Sequence, residues 1–194
     1  MPQPSHVMAL KTPTSEEIET TLDDRMKKYL QICKKKLGIV PNVLLSYASR
    51  PKKLKTFVSF YNELMLGESG LSKLEREMIA VVVSSINHCF YCVVAHGQAV
   101  RELSSDPELG EMLAINYRVA ELEPRHRAML DFVYKLTVTP STVDDADRQS
   151  LRDVGFVDED IFDVADTAGF YNMSNRVAIG VDMMPNQEYH GRNR

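Results

Sequence analysis

The stretch that decides the fold is Glu77-Met-Ile-Ala-Val-Val-Val-Ser-Ser-Ile-Asn-His-Cys89-Phe-Tyr-Cys92-Val-Val-Ala-His96. It joins an apolar run to two cysteines separated by two residues, and a histidine follows the second cysteine by four positions. Two cysteines with this spacing at the start of a helix can form a disulfide across the first turn. A helix N-terminus also favours negative charge, which lowers the pKa of a thiol. The stretch therefore predicts a redox-active dithiol.

A break between two helices would bring the ionisable groups of this stretch together. Asn87-His88 is expected to end one helix and to cap the next, so that the two helices reverse direction and pack antiparallel. At about 1.5 Å per residue, Glu77 then lies roughly 14 Å before the break and His96 roughly 10 Å after it, at similar heights. This spacing permits a relay in which Glu77 orients His96, and His96 takes the proton of Cys92. In one continuous helix, Glu77 would be about 18 Å from the first cysteine.

Capping residues and apolar periodicity predict helices along almost the whole chain. Ser15 is expected to cap the first helix, which Gly38 ends, and Ser72 with Glu75 forms a capping box before the apolar run. The β-branched run at 81–83 lies inside that capped pattern, so no strand is predicted and the fold class is all-α. The expected helices cover about 15–37, 43–48, 51–66, 73–86, 89–103, 108–121 (as one helix or two), 124–137, 144–153 and 158–183.

The length of 194 residues suits a single domain, because it allows one substantial apolar core. Within this domain, the motif is expected near the centre, with helical segments on both sides and polar ends. The expected parts are an N-terminal arm at 1–14, N-terminal helices at 15–50, a core carrying the Cys-x-x-Cys motif at 51–121, C-terminal helices at 124–184 and a loose polar tail at 185–194.

Composition narrows the classes of partner. With 44% hydrophobic and 26% charged residues the chain resembles an ordinary globular protein, and its net charge of -4 without a basic block predicts no nucleic-acid partner. No apolar run approaches the ~20 residues that cross a bilayer, and no secretory signal begins the chain, so we expect a cytoplasmic location and no membrane partner. In a reducing compartment a close cysteine pair is catalytic or metal-binding, which leaves Cys33 as a bystander on an N-terminal helix.

The pattern Glu77-x11-Cys89-x2-Cys92-x3-His96 resembles the signature of the AhpD-like alkylhydroperoxidases, within the carboxymuconolactone decarboxylase superfamily. Further segments resemble the group of that superfamily known as peroxidase-related enzymes, and the similarity extends over about residues 35–184. These segments are Leu37-Gly-Ile-Val-Pro-Asn42, Leu71-Ser-x-x-Glu-Arg-Glu77 and Tyr171-Asn-x-x-Asn-Arg176.

The resemblance implies an AhpD-like helical bundle built on helix hairpins, with the Cys-x-x-Cys at the N-terminus of a central helix, and a homo-oligomer such as a dimer, trimer or hexamer. It implies a peroxidase or thiol–disulfide oxidoreductase that reduces a small hydroperoxide. Cys92 would be the attacking thiolate, Glu77 and His96 would assist its deprotonation, and Cys89 would resolve the sulfenic acid by forming a disulfide. A dithiol or lipoyl-type reductant would then restore the pair, and no metal, haem or other cofactor would be needed.

One position departs from the family's pattern. The better-studied alkylhydroperoxidases carry a histidine just before the second cysteine, where this chain has Tyr91. His88 precedes the first cysteine and would replace that histidine only in part, because its geometry differs. The missing histidine is expected to affect how efficiently peroxide is reduced. It leaves the two cysteines of the dithiol in place.

Each site residue also has a purely structural interpretation. The two cysteines would be small buried residues, Glu77 a surface partner of Lys73, and His96 a satisfied core histidine. His88 would be a helix-end residue, and Tyr91 would pack or line a pocket. Three polar residues of the last helix either reach the site or form a buried polar network between helices, namely Asn172, Asn175 and Arg176.

Three other functions stay open at the level of sequence. A lyase like the superfamily's decarboxylases needs no cysteine pair, so the complete dithiol argues against it. A zinc-binding structural module would use Cys89, Cys92, His96 and Glu77, although compact zinc sites usually carry a second Cys or His pair. A redox-sensing interaction protein would use the disulfide to change its assembly rather than to turn over a substrate.

Overall fold

A computed structural model describes residues 4–194, and every regular element in that range is helical. The all-α fold class is therefore confirmed. Short 3-10 turns at Tyr117–Val119 and Pro140–Thr142 join some of the helices. The helices are α1 (Ser15–Thr21), α2 (Asp24–Leu37), α3 (Asn42–Ala48), α4 (Pro51–Leu66), α5 (Lys73–Ile86), α6 (Phe90–Ser104), α7 (Pro107–Asn116), α8 (Pro124–Val138), α9 (Asp145–Arg152), α10 (Asp158–Gly180) and α11 (Glu188–Gly191).

Helix α5 lies at the centre of the molecule and packs against α6, α7, α8 and α10. The predicted capping box starts it, since Glu75 N donates to Ser72 Oγ at 3.1 Å and Ser72 N donates to Glu75 Oε2 at 2.7 Å. From Met78 to Ser84 every residue of α5 is buried. A helix that is apolar on all sides requires neighbours on all sides, and α5 has them. The other members of this largest core include Val100, Leu113, Met129, Leu130, Val133, Val164 and Tyr171.

The turn between α5 and α6 reverses the chain, as the sequence predicts. Asn87 ends α5, and His88 adopts a left-handed backbone conformation with φ of 55°. The amide of Cys89 then donates to the carbonyl of Ser84 at 2.9 Å, which closes the turn. Helix α6 begins at Phe90 and packs antiparallel along α5. The side chain of His88 is exposed at the tip of this hairpin, in agreement with its interpretation as a helix-end residue.

The first predicted helix is two helices in the structure. Thr14, rather than Ser15, caps α1 through a capping box with Glu17. The chain becomes extended at Leu22, whose side chain is buried in a second apolar cluster between α2, α3 and α4. The side chain of Asp23 then accepts from the amide of Met26 at 2.8 Å and starts α2. The periodicity continues across this junction, which explains why the sequence indicates one helix.

The two ends of the chain contact each other. Ala9 N donates to Val181 O at 2.9 Å, and Met184 N donates to Val7 O at 3.0 Å, so part of the expected arm pairs with the segment that follows α10. Residues 1–3 of that arm lie outside the described residues. The tail that the sequence predicts as loose forms α11 and buries the ring of Tyr189. In the described range, no helix combines the length and the apolar character needed to cross a membrane.

Candidate active site

Glu77 and His96 form an ion pair or hydrogen bond between α5 and α6. Glu77 Oε2 lies 2.6 Å from His96 Nδ1, and both side chains are largely buried, at 12% and 13% exposed. The antiparallel hairpin thus brings them to the same height. The ring of Tyr171, on α10, contacts the imidazole edge-on, with the ring centres 4.7 Å apart. Because Nδ1 is held by the carboxylate, Nε2 is the nitrogen that remains for proton transfer.

Cys89 and Cys92 lie at the start of α6 as two buried, free thiols. Cys89 occupies the N-cap position, and its side chain makes no capping hydrogen bond. Its sulfur is therefore available to Cys92, which lies in the first turn of the helix. Both residues belong to a small apolar cluster with Tyr91, Ala178 and Met183.

The two thiols change each other's acidity. Hydrogen bonding with Cys92 lowers the pKa of Cys89 to about 7, and the positive charge of His96 acts in the same direction. The pKa of Cys92 is raised, because of the same interaction with Cys89 and because Cys92 is deeply buried. One proton is therefore shared between two sulfurs, and the pair carries one negative charge near neutral pH.

A cavity of about 260 Å³ reaches this cluster. Glu77, Cys92 and His96 line it, whereas Cys89 is not among the described residues that do. A small molecule in the cavity would therefore lie beside Cys92 and not beside Cys89. Aromatic rings form much of the remaining wall, from Tyr29, Phe57, Tyr61, Tyr91, Phe170, Tyr171 and Tyr189.

The polar residues of α10 lie at increasing distance from the sulfurs. Asn175 is fully buried, its Nδ2 donates to Ser84 Oγ at 3.0 Å, and its amide acts to lower the pKa of both cysteines. Asn172 is linked to it through Asn87, whose Nδ2 lies 3.0 Å from Oδ1 of each asparagine. Arg176 is exposed and hydrogen-bonds to Asn172 on the outside of the helix. The structure thus brings Asn175 to the predicted site and leaves Arg176 at the surface.

Two other predicted residues have distinct surroundings. Tyr91 lines the cavity, and its hydroxyl accepts from the amide of Val43 at 3.1 Å, so it fixes α3 against α6. His88 is exposed on the turn and does not line the cavity. Among residues 4–194, no group of three or more His, Cys, Asp and Glu side chains is arranged to hold a metal ion. The four ligands considered for a zinc module are therefore not arranged as one.

Several residues of the cavity were not predicted from the sequence. Cys33, interpreted there as a bystander, lines the cavity together with Tyr29 of the same helix. These residues are four positions apart and lie on the apolar side of α2, a spacing that is equally typical of core packing. Tyr189, which also lines the cavity, lies in a polar tail, so its position carries no signal of a site.

Comparisons with known proteins agree on one family. Residues 51–133 match the sequence model of the carboxymuconolactone decarboxylase family. A search of curated proteins found no match. A crystal structure of an uncharacterised peroxidase-related protein from Silicibacter sp. TM1040 is 58% identical, with a TM-score of 0.93 and all of both chains covered.

Two other solved structures are also similar. An uncharacterised peroxidase-related protein from Ralstonia eutropha JMP134, described as an alkylhydroperoxidase AhpD core, is 38% identical, with a TM-score of 0.93 and 98% of each chain covered. A protein of unknown function from Agrobacterium tumefaciens is 25% identical, with a TM-score of 0.62, covering 72% of this chain and 94% of its own. The chain therefore belongs to the AhpD-like group of the carboxymuconolactone decarboxylase superfamily.

Proposed function

We propose that this protein is a thiol oxidoreductase that reduces hydroperoxides with the Cys89/Cys92 pair. Membership of a superfamily group with peroxidase-related relatives supports a peroxidase-related enzyme. The observation that carries the finer proposal is the cavity, which Cys92 lines together with the Glu77–His96 pair. The resemblance in sequence assigns the same residues to this chemistry.

Cys92 is the attacking residue in this proposal, because it lines the cavity and Cys89 does not. The negative charge resides mainly on Cys89, whose pKa is lowered to about 7. A single proton transfer along the hydrogen bond between the sulfurs moves the charge to Cys92, where the peroxide arrives. His96, with Nδ1 held by Glu77, can accept or return a proton through Nε2, directly or through water.

The reaction then proceeds in two steps that balance. The thiolate of Cys92 attacks one peroxide oxygen, the O–O bond breaks, and the other oxygen leaves as an alcohol after it gains a proton. This step oxidises Cys92 to a sulfenic acid. Cys89 then attacks that sulfur while its proton passes to the departing hydroxide, which leaves as water, and a Cys89–Cys92 disulfide forms. An external dithiol, of which a lipoyl group is one kind, reduces the disulfide by exchange and is itself oxidised to a disulfide.

A direct test titrates the reduced protein with hydrogen peroxide and with cumene hydroperoxide, and maps the oxidised cysteines by mass spectrometry. We expect one equivalent of peroxide to give the Cys89–Cys92 disulfide. Cys33 serves as an internal reference, because burial raises its pKa and should keep it reduced. The Cys89→Ser variant should stop at the sulfenic acid of Cys92, which a dimedone probe traps. Unchanged peroxide consumption by Cys92→Ser would refute the proposal.

A lyase is the second candidate, because the matching family model is that of the carboxymuconolactone decarboxylases. The Glu77–His96 pair at the wall of an apolar cavity could serve acid–base chemistry without any thiol. Replacement of both cysteines by serine separates the candidates. A lyase would retain its activity on a carboxylated lactone, whereas the oxidoreductase would lose peroxide reduction.

A further inference from the structure

Five tyrosines line the cavity, and only one of their hydroxyls donates to another residue within 4–194. Tyr29 Oη donates to Asn62 Oδ1 at 3.1 Å. Away from the cavity, the buried Tyr117 follows the same pattern, since its hydroxyl donates to Asp131 Oδ1 at 2.7 Å. A buried tyrosine hydroxyl usually finds such a partner. Four hydroxyls at the cavity do not, and they belong to Tyr61, Tyr91, Tyr171 and Tyr189.

Two of these four hydroxyls touch polar groups that cannot take their hydrogen. Tyr91 Oη accepts from the amide of Val43 at 3.1 Å, a bond that uses only a lone pair of the hydroxyl. Tyr171 Oη lies 3.5 Å from His96 Nδ1. That nitrogen is 2.6 Å from Glu77 Oε2, and a carboxylate only accepts, so the hydrogen on Nδ1 belongs to that bond. Both tyrosine hydrogens therefore stay free to bind another acceptor.

The hydroxyls of Tyr61 and Tyr189 form no hydrogen bond to any residue within 4–194. The ring of Tyr61 packs near Phe57 and Phe170, with ring centres 6.3 Å and 6.2 Å apart. Tyr189 is held through its backbone carbonyl, which accepts from Arg101 at 3.0 Å. Phenylalanine would make the same contacts at both positions. Since a hydroxyl without a partner costs stability, packing does not explain why these two residues are tyrosines.

A ligand that satisfies these donors must be uncharged and must carry an acceptor oxygen. Burial raises the pKa of Tyr61 well above its ordinary value and that of Tyr189 to about 12, so both hydroxyls keep their hydrogen. Within residues 4–194, no lysine or arginine lines the cavity, whereas Glu77 and Glu102 do. A carboxylate or phosphate would meet these two acids and the charged dithiol without a basic side chain to pair with. A carbonyl or ether oxygen on an apolar body suits both the donors and the aromatic wall.

We propose that Tyr61 and Tyr189 determine specificity by donating hydrogen bonds to an uncharged carbonyl or ether oxygen of the substrate. Tyr91 and Tyr171 supply two further donors to the same cavity. The substrate is then an oxygenated organic hydroperoxide, with its peroxide group beside Cys92 and a second oxygen group at the tyrosines. This inference rests on the proposed function, because it names the class of hydroperoxide that the same cavity takes.

The test measures the binding of two unreactive probes to the reduced protein by NMR titration. Acetophenone carries a carbonyl group, and ethylbenzene has the same skeleton with a methylene group in its place. The double variant Tyr61→Phe/Tyr189→Phe is compared with Tyr134→Phe. This control removes a hydroxyl from α8, beside Tyr117 and not on the cavity wall. All three substitutions keep the aromatic ring.

The expected result is a loss of affinity for the ketone alone. A hydrogen bond contributes about two- to tenfold in affinity, so the Kd of acetophenone should rise about tenfold in the double variant. The Kd of ethylbenzene should stay the same or fall, and Tyr134→Phe should change neither value. The double variant should unfold at the same or a higher denaturant concentration, because it loses no hydrogen bond within the protein.

Equal affinities of the unmodified protein and the double variant for acetophenone would overturn the proposal, since the hydroxyls would then bind water only. Failure of acetophenone to bind up to its solubility limit would overturn it as well. If the double variant does not fold, each single variant should raise the Kd of acetophenone about two- to tenfold, and no change in either would be equally decisive.

These outcomes are distinct from those of the proposed function. Binding of the probes needs no peroxide, so a negative result leaves the chemistry of the dithiol in place. Conversely, peroxide reduction that survives Cys92→Ser would remove the proposed function without altering the affinity for either probe.

Discussion

At the level of single residues, the contact between Glu77 and His96 gives a sharp prediction. Glu77→Gln keeps the size of the side chain but removes the charged group that orients the imidazole. Because general acid–base groups typically contribute 10²–10⁴-fold, we expect the second-order rate constant of dithiol oxidation to fall about 100-fold. Stopped-flow oxidation by cumene hydroperoxide measures it.

The matched control for this variant is Glu68→Gln. It makes the same change of charge on an exposed residue between α4 and α5. We expect its oxidation rate to equal that of the unmodified protein. Equal rates for the two variants would mean that the carboxylate of Glu77 has a structural role only.

The acidity of the dithiol predicts the pH dependence of the reaction. Hydrogen bonding with Cys92 lowers the pKa of Cys89 to about 7, so the pair gains its negative charge as the pH rises through that value. The thiolate attacks peroxide and the thiol does not, so the oxidation rate should rise about tenfold between pH 6 and 7.5 and then level off. A rise centred on the value of an ordinary cysteine, about 8.5, would contradict the assignment.

At the level of elements, the α5–α6 hairpin depends on the backbone of His88. A left-handed conformation costs a residue with a side chain about 1–2 kcal/mol, and more when that side chain is branched at Cβ. His88→Val should therefore lower the free energy of unfolding by about 1–2 kcal/mol, whereas His88→Gly should stay close to the unmodified protein. Chemical denaturation of both variants measures the difference.

The same pair of variants tests whether His88 takes part in catalysis. Its side chain is exposed and does not line the cavity, so His88→Gly should oxidise at an unchanged rate. A large loss of rate in this stable variant would show that the histidine before the first cysteine replaces the one that the family carries before the second. Equal stability of the Gly and Val variants would contradict the role of the left-handed turn.

The hairpin also shows what is predictable from the sequence. The capping box at Ser72, the break at Asn87-His88 and the 19-residue spacing from Glu77 to His96 are local patterns, so the sequence places the carboxylate beside the imidazole. The break between α1 and α2 was missed for the opposite reason. There the apolar periodicity continues, and only the burial of Leu22 against distant helices shows that the chain leaves the helical path.

At the level of the whole molecule, the cavity is built from segments that are far apart in sequence. Glu77 and His96 come from the hairpin, Tyr29 and Cys33 from α2, and the ring of Tyr189 from the last helix. No local pattern indicates that a tyrosine in a polar tail returns to the site. Its position depends on long-range contacts, so the sequence identifies the reactive groups but not the surface that selects their substrate.

Arg101, together with Gln98, holds this last segment on α6. It is 6% exposed, and its guanidinium donates to the carbonyl of Tyr189 at 3.0 Å and to the carbonyl of Arg192 at 3.1 Å and 3.2 Å. Arg101→Met keeps an apolar chain of similar length but leaves these carbonyls without their donor. The segment should then loosen, and hydrogen exchange at 186–194 should become faster.

Loosening of the segment should also change the selection of substrate. Cumene hydroperoxide can contact the ring of Tyr189, whereas hydrogen peroxide is too small to depend on the wall. Apolar contacts of this size are worth about 10–200-fold in specificity. We therefore expect the rate with cumene hydroperoxide, divided by the rate with hydrogen peroxide, to fall about tenfold in Arg101→Met. Arg148→Met, a substitution on α9 that leaves the tail in place, should preserve the ratio. A ratio that stays constant while the tail exchanges faster would show that the cavity wall does not select the substrate.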